Sequence, residues 1–278
     1  MLVCKYGKSL EAIKLDDNRK YLVIHSPWFS YYFWLTECLP RLLMVKEQLH
    51  ELVLLFPAGW KKFPFVNQTL EMFPQLQIYE IPFGKHLFVK NLVMPEVKPW
   101  TPMFIPEQVL EVRELFFDAI RNEEIQNLNV YLSRKDSNRK NLVNDNEVTV
   151  LLEKHNFEIH QMSKLSIFEQ VSLMRSTNNI ISITGAGMAN FMFLKENANV
   201  IDLTNIMYLK DRHYKFHFWK LCNIINANYI VQFCEHENNP NIEISPNVPM
   251  FGLQNLIVHL PSLEKNLKII ANNIKKTQ

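Results

Sequence analysis

Short apolar runs alternate with longer helical patterns along this chain, and that alternation constrains the fold more than any other feature. In the second half of the chain, strand-like runs occupy residues 130–133, 157–160, 180–183, 200–203 and 229–233. Short strands that are apolar throughout and separated by helices are typical of a parallel sheet covered on both faces. The sequence therefore predicts an α/β fold with mainly parallel sheets.

The first half of the chain shows the same alternation and ends in a proline-rich segment. Four further strands are predicted at residues 21–25, 51–56, 77–81 and 87–94. The segment "MPEVKPWTPMFIPEQ" then places four prolines too close together for a helix interior or a central strand. We interpret it as a hinge between two Rossmann-like domains, residues 1–100 and 101–260, with a C-terminal helix within 261–278 packing back across both.

Composition excludes several classes of protein. The 278 residues carry a net charge of +2, so we expect no broad basic surface of the kind that nucleic acid requires. The four cysteines lack zinc-ligand spacing, and we expect no metal. The N-terminus does not resemble a signal peptide, and the most apolar segment, residues 31–45, is too short to span a bilayer. These features predict a cytoplasmic location.

The stretch "NNIISITGAGMANFMF" indicates a strand, a glycine turn and then a helix starting near Met188. Gly185 and Gly187 match two positions of the dinucleotide fingerprint, but Asn190 stands at the third. Asp202 ends the next strand, where a carboxylate that binds ribose would lie. Glycines beside the N–H groups of a helix start suit an anion, so we expect a phosphate here, with a turn that binds nothing as the alternative.

A basic cluster follows an earlier strand in "VYLSRKDSNRK". Ser133 and Arg134 stand where the strand runs out, and Arg139 and Lys140 lie in the loop beyond. Ligands of open parallel sheets bind at the carboxyl ends of the strands, which is where both this loop and the glycine turn should lie. Guanidinium groups bind diphosphate oxygens in a bidentate manner, so the cluster favours a nucleotide diphosphate.

The segment "SYYFWLTECLPRL" combines aromatic residues with a single carboxylate. At helical spacing Trp34, Cys38 and Arg41 share one side, while Glu37 lies near Phe33 on another. A carboxylate among aromatic rings is partly desolvated and suited to act as a general base. The alternative is an amphipathic helix with Glu37 in solvent.

The nearby segment "GWKKFPF", residues 59–65, joins aromatic rings to Lys61 and Lys62. Aromatic and basic side chains together suit a membrane interface, so peripheral contact with anionic lipid at the inner face of the membrane is a further hypothesis. A surface turn with solvated lysines is the alternative.

Taken in order, "YYFWLTECLPRL", "YLSR", "GAGMAN" and "VIDL" resemble motifs of the glycosyltransferase family 61, or DUF563, proteins, from about Tyr31 to Tyr229. The resemblance implies a GT-B arrangement of two Rossmann-like domains facing a cleft. It also implies inverting, metal-independent transfer from a nucleotide sugar, which we take as UDP-linked. The acceptor would be a glycan or lipid-linked glycan in bacterial surface polysaccharide synthesis, such as capsule or lipopolysaccharide.

The family motifs assign roles to individual positions, with Phe33 and Thr184 standing where the family usually has histidine. Glu37 is the expected catalytic base. The expected acceptor-binding residues are Tyr31, Tyr32, Trp34 and Arg41. The expected donor-binding residues are Ser133, Arg134, Arg139, Lys140, Thr184, Gly185, Ala186, Gly187, Asn190 and Asp202.

Three functions stay open on the sequence. The first is an inverting glycosyltransferase, and the second is a non-catalytic nucleotide-sugar-binding partner of another transferase. The third is a nicotinamide-dependent oxidoreductase, which the two glycines and Asp202 suggest. Binding of a uridine nucleotide but not NAD would exclude the third, and turnover would separate the first from the second.

Overall fold

A computed structural model of the chain shows a mixed α/β protein that divides into two compact units, Met1–Pro99 and Trp100–Gln278. The sheets are mainly parallel, which confirms the fold class predicted from the alternation. The structure describes residues 11–25, 28–96, 104–138, 140–209, 216–237 and 253–277.

The described residues of the first unit form six strands and three short helices. Its strands are β1 (Ala12–Leu15), β2 (Lys20–Leu22), β3 (Leu52–Pro57), β4 (Gln77–Ile81), β5 (His86–Val89) and β6 (Leu92–Val93). Its helices are α1 (Tyr31–Phe33), α2 (Leu39–Leu43) and α3 (Pro64–Leu70). A single π-helical turn, Trp34–Cys38, joins α1 to α2, and 3₁₀ turns occupy Lys46–Glu51 and Trp60–Lys62.

A four-stranded parallel sheet in the order β4-β3-β2-β6 forms the centre of this unit, and β1 pairs with β5 in a separate two-stranded sheet. The strand predicted over residues 87–94 is therefore wrong as one element. Its two halves are β5 and β6, which belong to different sheets. Tyr21 and Val53 pack in one core cluster with Leu15 of β1 and Leu55 of β3, so apolar contacts hold the two sheets together.

Within its described ranges, the second unit has six strands and five helices. Its strands are β7 (Leu128–Leu132), β8 (Glu158–His160), β9 (Thr177–Ile183), β10 (Asn199–Asn205), β11 (Asn228–His236) and β12 (Leu256–Ile257). Its helices are α4 (Pro106–Ala119), α5 (Asp145–Lys154), α6 (Ile167–Arg175), α7 (His217–Ile224) and α8 (Leu260–Thr277). Pro106, predicted to lie in the hinge, instead opens α4 at a position where a missing N–H costs nothing.

The strands of the second unit form one sheet in the order β12-β11-β10-β9-β7-β8, parallel except for the antiparallel pairing of β11 with β12. Ile181 of β9 and Ile201 of β10 lie at its buried centre, because each apolar strand is covered on both faces. Helix α8 adds Leu263, Leu267 and Ile270 to the same core. The C-terminal helix therefore packs on the sheet of the second unit.

A ladder of asparagines crosses this sheet near the amino ends of four adjacent strands. The Asn179 amide donates to Asn129 at 2.6 Å, the Asn199 amide donates to Asn179 at 2.8 Å, and the Asn228 amide donates to Asn199 at 3.1 Å. The amides satisfy one another in a region where a lone polar group would be costly, and they fix the strand register.

Candidate functional site

A pocket of about 320 Å³ opens at the carboxyl edge of the second sheet, where β7 and β9 end. Ser133 and Arg134, the first two residues after β7, line this pocket, and Gly187 of the glycine turn lines it from beyond β9. The carboxyl ends of adjacent parallel strands meet at one edge, so residues that are far apart in sequence become neighbours there. We call this cavity the edge pocket.

Arg134 connects the basic cluster to the glycine turn. A Cβ atom on Gly185 would lie 3.2 Å from Nη1 of Arg134, so the absence of a side chain lets the guanidinium pass close to the turn. Gly185 itself has extended backbone geometry, with φ of 178°, and is not strained. Nη2 of Arg134 donates to Oγ of Ser137 at 3.1 Å, which orients the guanidinium.

The segment after the glycine turn is a 3₁₀ helix, Ala186–Phe193, rather than the predicted α-helix starting at Met188. Its residues from Met188 onward are all buried. The segment is apolar on every side, whereas an amphipathic helix would keep a polar face in solvent. Ala186 is exposed at its first position. A Cβ atom on Gly187 would meet nothing within 4 Å, so the backbone here borders open space.

Two residues predicted to contact the donor are fully buried instead. The Asn190 amide donates to Oε1 of Gln170 at 2.9 Å and ties the 3₁₀ helix to α6. Asp202 lies inside the sheet, where it accepts hydrogen bonds from Oγ1 of Thr184 at 2.6 Å and from the Tyr229 hydroxyl. Neither side chain has exposed surface, so the predicted ligand contacts are corrected to structural ones.

The environment of Asp202 disfavours its charge. Burial raises the pKa of Asp202 to about 6, and the hydrogen bonds from Thr184 and Tyr229 and the positive charge of Lys140 offset only part of that effect. Because Asp202 cannot reach a ribose, the structure offers no support for the nicotinamide-dependent function. Thr184 and Lys140 line a separate, much smaller cavity of about 10 Å³. Arg139 lies outside the described residues.

In the first unit, Glu37 forms an ion pair with Arg41 one turn further along, with Oε2 3.5 Å from Nη1. Both side chains are largely removed from water, at 14% and 7% exposed. The prediction that Arg41 lies on a different side from Glu37 is wrong, because residues four apart along a helix are neighbours on its surface. Nη1 of Arg41 also donates to the Ile24 carbonyl at 3.0 Å, which anchors the pair beyond the end of β2.

The expected acceptor-binding aromatics divide into one buried and two part-buried residues. Trp34 is fully buried, with its indole N–H donating to Thr69 at 3.4 Å, so its ring has no face on which an acceptor could stack. Tyr31 and Tyr32 keep some exposure. Burial raises the pKa of Tyr32 to about 12. The acceptor role of Trp34 is therefore corrected to a core role.

An aromatic cluster near this ion pair was missed by the sequence reasoning. The Phe29 ring lies 4.0 Å from Trp60 and 4.7 Å from Phe63, measured between centroids. The Tyr31 ring meets Phe65 edge to face at 5.1 Å, and His25 meets Trp60 edge to face at 5.6 Å. Aromatic residues are dense in the segments that follow β2 and β3, two parallel strands whose carboxyl ends lie at the same edge of the first sheet. That density was the signal in the sequence that predicts the cluster.

The segment proposed to contact lipid contributes its rings to that cluster. Trp60 and Phe63 are part-buried against Phe29, and Lys61 forms an ion pair with Glu80 at 2.9 Å. Lys62 lies 5.3 Å from the centre of the Phe63 ring. These contacts occupy side chains that the hypothesis assigned to a bilayer, and peripheral membrane contact stays a hypothesis.

Comparison with known families identifies the family to which the chain belongs. The family model described as Glycosyltransferase 61 matches residues 31–201, more than half of the chain. The chain belongs to this family. The match begins at the start of α1, just before the π-helical turn that carries Glu37, and ends one residue before Asp202. A search of the curated proteins found no match.

Two positions at which this family 61 glycosyltransferase departs from the expected histidines have defined surroundings. Phe33 stacks on Trp28, with ring centroids 6.1 Å apart and an angle of 24° between the planes. Thr184 donates its hydroxyl hydrogen to Asp202. Phe33 makes an aromatic contact and Thr184 makes a buried hydrogen bond. Neither side chain supplies a titratable group in place of histidine.

The described part of the glycosyltransferase contains no group of three or more His, Cys, Asp or Glu side chains placed to hold a metal ion. Within the same described residues, none of the helices has the length and apolar character needed to cross a bilayer.

Proposed function

We propose that this family 61 glycosyltransferase transfers a sugar from a nucleotide-sugar donor to a glycan acceptor with inversion at the anomeric carbon. The observation that carries the proposal is the edge pocket, where Arg134 passes over Gly185 and Gly187 leaves open space. A guanidinium beside exposed backbone suits the diphosphate of a nucleotide.

The donor half of the reaction is assigned to the second unit. Arg134 would bind the diphosphate oxygens and stabilise the charge that develops as the nucleotide leaves. The hydroxyls of Ser133 and Ser137 border the same pocket and can donate to phosphate oxygens. Arg134 would thus supply the positive charge that a divalent metal supplies in metal-dependent transferases. The donor that we propose is UDP-linked.

The acceptor half is assigned to Glu37. As the acceptor oxygen forms its bond to the anomeric carbon, the bond from that carbon to the phosphate oxygen breaks, and the hydroxyl proton passes to the Glu37 carboxylate. Arg41 compensates the negative charge of Glu37 in a place that is largely removed from water. The aromatic rings of Tyr31 and its neighbours offer faces that sugar rings stack on.

The wider setting follows from the family resemblance. A GT-B arrangement, an acceptor that is a glycan or lipid-linked glycan, and a role in surface polysaccharide synthesis complete the proposal. A non-catalytic nucleotide-sugar-binding protein would use the same edge pocket, but it would have no need for the compensated carboxylate of Glu37.

The test combines calorimetric binding with turnover. UDP-, GDP-, CMP- and CDP-sugars are titrated into the protein, and each one that binds is assayed for transfer to glycan acceptors. Arg134→Ala should weaken binding by about 1.5–3 kcal/mol, roughly ten- to a hundredfold, because a charge-assisted hydrogen bond is lost. Arg121→Ala removes an exposed arginine after α4 and serves as the matched control.

Equal binding by wild type and both variants would place the donor away from the edge pocket. Binding without transfer, after every bound donor has been tested with native glycan, would favour the non-catalytic function.

A further inference from the structure

The edge pocket contains a carboxylate that a diphosphate site does not require. Among the described residues that line the pocket, the charged side chains are Arg134 and Asp136. Arg134 suits a phosphate, but a carboxylate beside a phosphate is repulsive. If Asp136 faced the phosphates, it would weaken donor binding. Asp136 must therefore face a different part of the donor.

The structure shows what kind of group Asp136 accepts. Its Oδ2 atom accepts a hydrogen bond from the hydroxyl of Ser163, which lies in the 3₁₀ turn Met162–Lys164 after β8. Asp136 lies in the loop after β7, so the hydrogen bond joins two separate parts of the pocket lining. Both residues are exposed to solvent, and a hydroxyl of a ligand can compete with Ser163 for the carboxylate.

We propose that Asp136 recognises a pair of neighbouring hydroxyls on the donor, either those of the ribose or those of the transferred sugar. This inference rests on the proposed function. An ionised carboxylate only accepts hydrogen bonds and has two oxygens, so it matches two adjacent O–H donors. One ligand hydroxyl replaces Ser163 on Oδ2 and the second binds Oδ1.

The buried state of Asp202 strengthens this assignment. Sequence reasoning gave Asp202 the ribose-binding role, but that carboxylate is engaged by Thr184 and Tyr229 and has no exposed surface. Asp136, unlike Asp202, borders the edge pocket. It therefore determines specificity for a hydroxyl-bearing donor, while Arg134 supplies affinity for the phosphates.

The test compares ligands that do and do not carry hydroxyl pairs. Calorimetry measures the binding of UDP, UDP-glucose, GDP, GDP-mannose and inorganic pyrophosphate to wild type, Asp136→Asn and the matched control Asp118→Asn, an exposed aspartate of α4. Asp136→Asn should bind the nucleotide about tenfold more weakly, because a charged acceptor becomes a neutral one. Pyrophosphate should bind no more weakly than to wild type, since a negative charge has been removed.

The ligand series also identifies the hydroxyls. A tenfold loss already present with UDP or GDP assigns the ribose, and a loss confined to the nucleotide sugar assigns the transferred sugar. Equal nucleotide binding by wild type and Asp136→Asn would overturn this inference and leave the donor site intact, as would an equal loss for pyrophosphate. A wild-type protein that binds none of the five ligands would overturn the proposed donor site, and this inference with it.

Discussion

Each unit of this glycosyltransferase holds a carboxylate that the sequence assigned to the functional site, Glu37 in the first unit and Asp202 in the second, and the two carboxylates have opposite surroundings. Glu37 is 14% exposed and forms an ion pair with Arg41. Asp202 has no exposed surface and is held by the hydroxyls of Thr184 and Tyr229. Glu37 has a cation within ion-pair distance, whereas for Asp202 burial outweighs the hydrogen bonds from the two hydroxyls and the positive charge of Lys140, so its pKa is raised.

The difference shows that position at a sheet edge does not by itself make an acidic residue functional. Glu37 keeps part of its side chain exposed to solvent, as the proposed base must. Asp202 can only organise the residues around it, and the edge pocket takes its exposed carboxylate from Asp136 instead. We expect the two carboxylates to differ in function as they differ in environment.

The largest expected effect is on Glu37. Glu37→Gln keeps the shape of the side chain and an acceptor for Arg41 but removes the base, so turnover should fall by about a hundred- to ten-thousandfold. Nucleotide binding should stay close to wild type, because that contact is assigned to the second unit. The measurement is a donor–acceptor assay beside a nucleotide titration on the same protein.

Glu47→Gln provides the matched control, since Glu47 is an exposed glutamate in the 3₁₀ turn shortly after α2. Thermal melts of both variants check that the ion pair lost in Glu37→Gln has not unfolded the protein. Full activity in a folded Glu37→Gln protein would remove Glu37 as the base.

The next effect is on stability and depends on pH. Because the pKa of Asp202 is about 6 in the folded protein and 3.8 in an unfolded reference, the folded state binds the proton more tightly. The contribution of Asp202 is complete below about pH 4 and is lost as the pH rises through about 6. Relative to Asp202→Asn, the free energy of unfolding of wild type should therefore fall by up to about 3 kcal/mol between pH 4 and 7.

Urea unfolding at several pH values measures this difference, and Asp16→Asn, a change at an exposed aspartate, should follow wild type throughout. A difference between wild type and Asp202→Asn that does not change with pH would mean that burial does not control the proton on Asp202.

The smallest effect separates the two glycines of the turn. Gly187→Val should leave the free energy of unfolding within about 0.5 kcal/mol of wild type, because its side chain enters open space. It should weaken nucleotide binding by about 1 kcal/mol through crowding of the edge pocket. Gly185→Ala should weaken binding by displacing the Arg134 guanidinium, which lies 3.2 Å from the added atom.

A double-mutant cycle distinguishes these two causes. In an Arg134→Ala background the effect of Gly185→Ala should disappear, while that of Gly187→Val should persist. Two glycine effects that both persist would show that Gly185 acts on the ligand and not through Arg134.

The sequence by itself determined the class of fold and the central strands of the second sheet. The apolar runs of β7, β9 and β10 could be read directly, because a strand buried on both faces has little freedom in its composition. The meeting of Arg134 with the glycine turn could also be predicted, since adjacent parallel strands bring their carboxyl ends to one edge. Family membership followed from local motifs that the family match then confirmed.

Tertiary structure alone decided which of the candidate side chains are exposed and which are buried. Trp34, Asn190 and Asp202 stand in motifs that suggested contact with substrate, yet each is fully buried, because burial depends on what packs against an element from elsewhere in the chain. The asparagine ladder, built on Asn129 and Asn179, likewise depends on a register that no single segment specifies. Local sequence sets the backbone path, and exposure, partners and charge are set by neighbours that are distant along the chain.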